Sequence, residues 1–124
     1  MAATALDVFI EGLREPGTPF LSPARMVGAL SIEAQELATI AGVHRNTLRV
    51  SPHAAKLQQS MRDIVRVVSA VTSEFRRSPA DAMFWIHNRP IAEFGHRTAI
   101  DLIRDGKTDA VLDYLASIES GYVG

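Results

Sequence analysis

The sequence contains no cysteine among its 124 residues. This absence excludes disulfides, thiolate metal sites and a cysteine nucleophile, and it suits a protein of the reducing cytosol. No Lys or Arg precedes Arg14, so the chain lacks the charged start of a signal peptide, and it has no run of about 18 apolar residues. We therefore expect a soluble, cytoplasmic protein without a membrane segment.

Motifs of common catalytic and metal sites are also missing. No glycine-rich nucleotide loop occurs, and no serine lies in a nucleophile-elbow pattern. The four histidines stand 9, 34 and 9 residues apart, so no two of them share a helical turn as zinc ligands would. Two carboxylate pairs one turn apart, Asp101 with Asp105 and Asp109 with Asp113, are more typical of caps and solvated faces than of catalysis. We expect no enzyme, no cofactor, no metal site and no small-molecule substrate.

Apolar residues make up 47% of the chain and recur at helical spacing. Leu6, Phe9 and Leu13 predict a short amphipathic helix over residues 3–14, and no convincing alternating strand pattern follows. Hydroxyl residues mark further helix starts, because such side chains cap the first free N–H groups. These predicted starts are Ser22-Pro23, Ser31, Ser78-Pro79, Thr98 and Thr108. We predict an all-α fold of about seven helices, with an irregular loop near residues 87–97.

The longest periodic segment runs from Pro52 to about Arg77. Its apolar side chains are spaced alternately four and three residues apart, at Leu57, Met61, Ile64, Val68, Val71 and Phe75. Such a stripe can be a coiled-coil seam or the buried side of a central helix. Val65 and Val67 widen the stripe, which favours a core helix.

Positive charge is concentrated in the middle of the chain. Residues 44–77 carry seven basic side chains against two acidic ones, whereas residues 1–43 and 78–124 each have a net charge of −3. A basic centre between acidic ends suggests that only the middle faces a polyanion such as nucleic acid. A solvated helix face would give the same distribution, so charge alone leaves both interpretations open.

Residues 36–49, ELATIAGVHRNTLR, have the pattern of a helix-turn-helix. Ala38 is small where the two helices would approach, and Gly42 tolerates the positive φ that the turn requires. Apolar residues that could hold the two helices together are Leu37, Ala41, Val43 and Leu48. A plain helix–glycine–helix corner with a polar outer face is the alternative.

The second helix of this motif would expose polar and basic side chains. The residues predicted to bind DNA are His44, Arg45, Asn46, Thr47 and Arg49. Arginine can read guanine and asparagine can read adenine in the major groove, while Thr47 or Arg49 could equally hold phosphates. Ser51-Pro52 ends the segment early, so we expect a short recognition helix.

Three segments in the second half carry a resemblance to a known family. Residues 82–90 read AMFWIHNRP, residues 95–106 read GHRTAIDLIRDG, and the chain ends in GYVG. Together they resemble the antitoxins of the Xre/MbcA/ParS type, whose C-terminal toxin-binding domain has a Trp, an Asn-containing loop, a Thr-x-x-Asp-Leu-Leu-like helix and a Gly-Val-Phe-like tail. The likeness covers residues 20–124. It departs from the pattern in a longer, more charged loop after Asn88 and in a Tyr-Val rather than Val-Phe tail.

This resemblance implies a partner toxin with a RES domain, which degrades NAD. The antitoxin would neutralise the toxin by direct binding and repress their shared promoter at operator DNA, as a homodimer or as a hetero-oligomer with the toxin. The toxin-binding residues that the resemblance implies are Trp85, Asn88, Arg89, Phe94, Arg97, Asp105, Lys107, Gly121, Tyr122, Val123 and Gly124. The segments concerned are 88–106 and 121–124.

The chain accordingly divides into three parts. Residues 1–20 form an unassigned N-terminal helix and linker, residues 21–77 the helix-turn-helix region with the long helix, and residues 78–124 the toxin-binding module. One rival is a stand-alone transcriptional regulator whose C-terminal module only dimerises. Another is a pure interaction protein whose helix-turn-helix is structural and has no affinity for DNA.

Overall fold

A computed structural model of the chain describes residues 3–119. This part folds into eight α-helices and a 3-10 helix, which confirms the all-α prediction. The α-helices are α1 (Ala5–Leu13), α2 (Pro23–Leu30), α3 (Ala34–Ala41), α4 (Thr47–Val50), α5 (Ala55–Phe75), α6 (Pro79–Asn88), α7 (Ala99–Arg104) and α8 (Thr108–Glu119). The 3-10 helix Ala92–Phe94 lies between α6 and α7. Among the described helices, none has both the length and the apolar composition needed to cross a bilayer.

Helix α5 is the centre of the fold. Its residues Leu57, Met61 and Ile64 are fully buried, and it packs against α1, α3, α6, α7 and α8. Val67 is buried as well, and Val65 is half-buried, so the apolar stripe is wider than a coiled-coil seam. The core-helix interpretation is therefore confirmed. The helix begins at Ala55 rather than at Pro52, because residues 51–54 form a turn after α4.

Three of the predicted helix starts are confirmed by their caps. The hydroxyls of Ser22 and Ser78 accept hydrogen bonds from the backbone N–H groups of Arg25 and Asp81, at 3.2 and 3.1 Å. Pro23 and Pro79 occupy the first helical turns, as the sequence predicted. Thr98 forms a capping box in which its own N–H donates to the Asp101 carboxylate at 3.0 Å.

One predicted start is wrong, and another is right in position although its hydroxyl bonds elsewhere. Ser31 ends α2 instead of starting α3: it has a φ of 55° in the left-handed region, and α3 begins only at Ala34. Thr108 is the first residue of α8, where the sequence predicted a helix start, but it is buried and its hydroxyl donates to the Asp63 carboxylate at 3.3 Å. The partner of the Thr108 hydroxyl is one that the local sequence pattern does not reveal.

The capping box of α7 allows a test of local stability. Burial raises the pKa of Asp101, but the hydrogen bonds from Thr98 and the charges of Arg104 and Arg97 outweigh burial, so the pKa lies below its ordinary value. The carboxylate thus stabilises the fold above its unfolded pKa, and this contribution is lost as the pH falls through its folded pKa. Thr98→Ala should lower the free energy of unfolding by about 1 kcal/mol at neutral pH, and by less in acid. Urea unfolding at both pH values measures this, with the exposed Thr39→Ala of α3 as control; equal losses in the two variants would contradict it.

Candidate functional site

A cleft opens between the C-terminal end of α5, the end of α6, the 3-10 helix and α8. Its volume is about 330 Å³, near the lower end of the range of about 300–1,000 Å³ seen for ligand pockets. The apolar side chains that line it are Val71, Phe75, Trp85, Ile91, Leu115 and Ile118. Arg77, Arg89 and Glu93 line it as well, and all three are exposed. The cleft therefore combines an apolar floor with charged groups at the surface.

Tyr114 connects the floor of the cleft to its charged edge. The ring packs edge-on against Phe94, with centroids 5.7 Å apart. Burial and then the neighbouring Glu93 carboxylate, which also hydrogen-bonds the phenol, raise the pKa of Tyr114, while the Arg89 guanidinium opposes them. The Tyr114 hydroxyl therefore interacts with Glu93 as a hydrogen-bond donor. Tyr114 and Glu93 thus interact at the exposed edge of the cleft.

A cluster of charges lies at the C-terminal end of α7. Arg97 forms an ion pair with Asp105, and Arg104 lies 3.2 Å from Asp101 and 3.6 Å from Asp105. The backbone ties this cluster to the cleft, because the N–H of Ile91 donates to the carbonyl of Arg97 at 2.9 Å. Two residues of the predicted toxin-binding set are thus brought together, with their charges facing each other.

Asn88 and Lys107 are both exposed, at the ends of α6 and α7. The side-chain amide of Asn88 donates to the carbonyl of Phe84 at 2.9 Å, so it satisfies one of the last carbonyls of α6. The neighbouring His87 lies 2.7 Å from the Glu36 carboxylate and so joins α6 to α3. The Lys107 N–H donates to the carbonyl of Leu102 at 2.8 Å and helps to end α7.

The corner between α3 and α4 has the left-handed glycine that the helix-turn-helix pattern predicts, but the second helix begins only at Thr47, so the predicted residues His44, Arg45 and Asn46 lie in the turn before it. Gly42 ends α3 with a φ of 67°, and Lys56 donates to its carbonyl at 3.0 Å. The apolar positions Leu37, Ala38 and Ala41 are buried, while Val43 and Leu48 are half-buried against the core; this packing holds the corner together. The second helix is a single turn of four residues, shorter than a typical helix.

The five predicted DNA-binding residues do not all face solvent in the same way. His44, Arg45, Asn46 and Arg49 are exposed, but Thr47 is half-buried, which corrects the expectation that the second helix exposes it. The His44 ring accepts a hydrogen bond from the Asn46 N–H at 3.0 Å, so one ring nitrogen serves the turn itself. The freest long side chains of the corner are Arg45 and Arg49.

The second half of the chain matches a family model. The family is the antitoxin Xre/MbcA/ParS C-terminal toxin-binding domain, and the match covers residues 61–121. The chain belongs to the Xre/MbcA/ParS antitoxins. The resemblance inferred from the sequence is therefore confirmed: this is an antitoxin of a toxin–antitoxin system. The cleft and the charge cluster both lie within the matched residues.

The fold of the antitoxin is also similar to that of a solved structure. A chain in the crystal structure of the M. tuberculosis MbcT–MbcA toxin–antitoxin complex superposes with a TM-score of 0.58 at 20% sequence identity. The superposition covers 83% of the antitoxin and 95% of that chain. At this level of identity the likeness supports the fold. No curated protein sequence gives a significant match.

The antitoxin's cleft contains residues that the sequence singled out and others that it did not. Trp85 and Arg89 were predicted and line the cleft, and Phe94 packs on Tyr114 beside it. Arg77 and Tyr114 were not predicted as site residues. The spacing of Tyr114 and Ile118, one turn apart on α8, was the signal that could have placed both on one face. Of the predicted set, Gly121, Tyr122, Val123 and Gly124 lie outside the described residues.

Proposed function

We propose that this antitoxin neutralises a RES-domain, NAD-degrading toxin by binding it through the surface formed by α6, α7 and α8. The observation that carries the proposal is the match of residues 61–121 to the toxin-binding domain of the family. That the toxin has a RES domain is what the resemblance to the family implies.

The chemistry of this surface suits a protein partner. Trp85 and Tyr114 are large, partly exposed rings of the kind that anchor interfaces, and Arg89 offers several donors in a fixed plane. Arg97 and Asp105 already compensate each other, so a partner can cover them at a lower desolvation cost than two unpaired charges would impose. The Arg97–Asp105 pair would then lie at the rim of the interface, and the rings of Trp85 and Tyr114 would lie at its centre.

The C-terminal tail is the part of the antitoxin that we propose to reach furthest into the toxin. Deletion of residues 121–124 should abolish inhibition, because Tyr122 supplies a large anchoring ring. The measurement is co-purification with the product of the adjacent gene, followed by an assay of toxin-catalysed NAD loss. Val8→Ser, on the exposed side of α1, is the control and should inhibit normally. Full inhibition by the shortened chain would contradict the role of the tail.

We propose in addition that the α3–α4 corner binds operator DNA and so represses the shared promoter. The supporting observations are the exposure of Arg45, Asn46 and Arg49 and the position of Lys56 beside the turn. Because α4 is a single turn, we expect contacts to phosphates to outnumber contacts to bases. Operator half-sites would be read by a dimer or by a larger assembly with the toxin.

A further inference from the structure

Among the described residues that line the cleft beside Trp85, positive charges outnumber negative ones. The ion pairs among the described side chains use Arg14, Arg66, Arg97 and Arg104, rather than the cleft residues Arg77 and Arg89. Arg77 and Arg89 bring two positive charges to the lining, against the single carboxylate of Glu93. The edge of the cleft is therefore suited to negative charge.

The floor of the same cleft is suited to an apolar side chain. Val71 and Leu115 are almost fully buried beneath it, and the half-buried ring of Trp85 forms one wall. A volume of about 330 Å³ has room for one or two side chains of an extended segment. Clusters of arginines are a common way of recognising short acidic motifs.

We propose that this cleft receives a short segment of the toxin in which a large apolar side chain is flanked by at least one carboxylate. The apolar side chain would enter between Trp85 and Leu115, and the carboxylate would meet the guanidinium groups of Arg77 and Arg89. This inference rests on the proposed function, because the toxin supplies the segment. It adds that the antitoxin accepts part of the toxin in this cleft.

Trp85 makes the occupancy of the cleft directly measurable. It is the one tryptophan of the sequence, so antitoxin labelled with fluorotryptophan gives a single fluorine NMR signal. That signal should shift when unlabelled toxin, the product of the adjacent gene, is added. A signal that stays in place in a complex that forms would overturn the proposal and the central place of the Trp85 ring in the interface, while neutralisation of the toxin would stand.

Two variants separate the charge of the cleft from its volume. The double variant Arg77→Glu, Arg89→Glu should lower affinity for the toxin at least tenfold and reduce its salt dependence. Ala92→Phe should also lower the affinity, because Ala92 is exposed and its enlarged side chain would fill the cleft. Arg62→Glu, a single charge reversal on the exposed side of α5, is the control for each of the two cleft substitutions and should bind normally.

The outcomes distinguish the proposal for the cleft from the proposed function. Wild-type affinity in both cleft variants would overturn the proposal. Failure of the unmodified chain to form a complex would instead remove the proposed function, and the cleft inference with it. A shift of the Trp85 signal caused by Tyr122→Ala in the free chain would assign the cleft to the antitoxin's own tail, and would also overturn the proposal.

Discussion

Replacing Gln58 by leucine is expected to lower the free energy of unfolding by about 3 kcal/mol. Gln58 is buried in α5, where its side-chain oxygen accepts from the N–H of Leu21 at 3.0 Å and its amide donates to the carbonyl of the same residue at 2.9 Å. The amide also donates to the carbonyl of Pro52 at 2.9 Å. Leucine matches the volume but leaves these buried backbone groups without partners, and such groups cost about 1–3 kcal/mol each.

Urea unfolding of the intact chain measures the effect of Gln58→Leu. The midpoint should fall while the slope with urea concentration stays unchanged, because the surface exposed on unfolding is nearly the same. The control is Gln35→Leu on the exposed face of α3, which should change stability by less than about 0.5 kcal/mol. A loss for Gln58→Leu no larger than that of the control would show that the linker before α2 is not held by this amide.

Replacing both Arg45 and Arg49 by alanine is expected to weaken operator binding by more than about tenfold and to lower the salt-dependence slope by about 2. Each arginine that neutralises a phosphate releases roughly one counterion, so each single variant should lower the slope by about 1. Both side chains are exposed at the α3–α4 corner. Gel shifts at several salt concentrations provide the measurement.

Arg62→Ala serves as the control for DNA binding, because it removes an exposed arginine of α5 outside the corner. The control should keep the slope of the unmodified chain. If the double variant shifts the operator as the unmodified chain does, the corner is a structural turn rather than a DNA-binding surface. The chain would then be better described as a pure interaction protein whose helix-turn-helix is structural.

Helix starts could be predicted from the sequence where the cap involves only neighbouring residues. Ser22, Ser78 and Thr98 each accept a hydrogen bond from the N–H three residues further on, so a local pattern suffices. The start predicted at Ser31 is wrong, and the start at Thr108 is right in position but not in the bond that its hydroxyl makes. Thr108 bonds Asp63, 45 residues earlier in the chain, and no local pattern contains that partner.

The residues that line the cleft likewise include some that a local pattern reveals and others that only the packing of distant helices brings together. Motifs within one segment pointed to Trp85 and Arg89, whereas Arg77 and Tyr114 join them only because α5, α6 and α8 pack together. Phe84 belongs to the same motif as Trp85 but is 70% exposed, since neighbours on a helix point in different directions. The buried role of Gln58 has a signal in the sequence: it is a polar residue three positions before Met61, on the buried stripe of α5.

The central claim is that this antitoxin silences a toxin that consumes NAD. The most direct measurement follows NAD loss catalysed by the product of the adjacent gene while purified antitoxin is titrated in. The account predicts that NAD loss slows with each addition and stops at saturation, when all toxin is in a complex that survives gel filtration. Continued NAD loss in the presence of a saturated complex, or the absence of any complex, would contradict it.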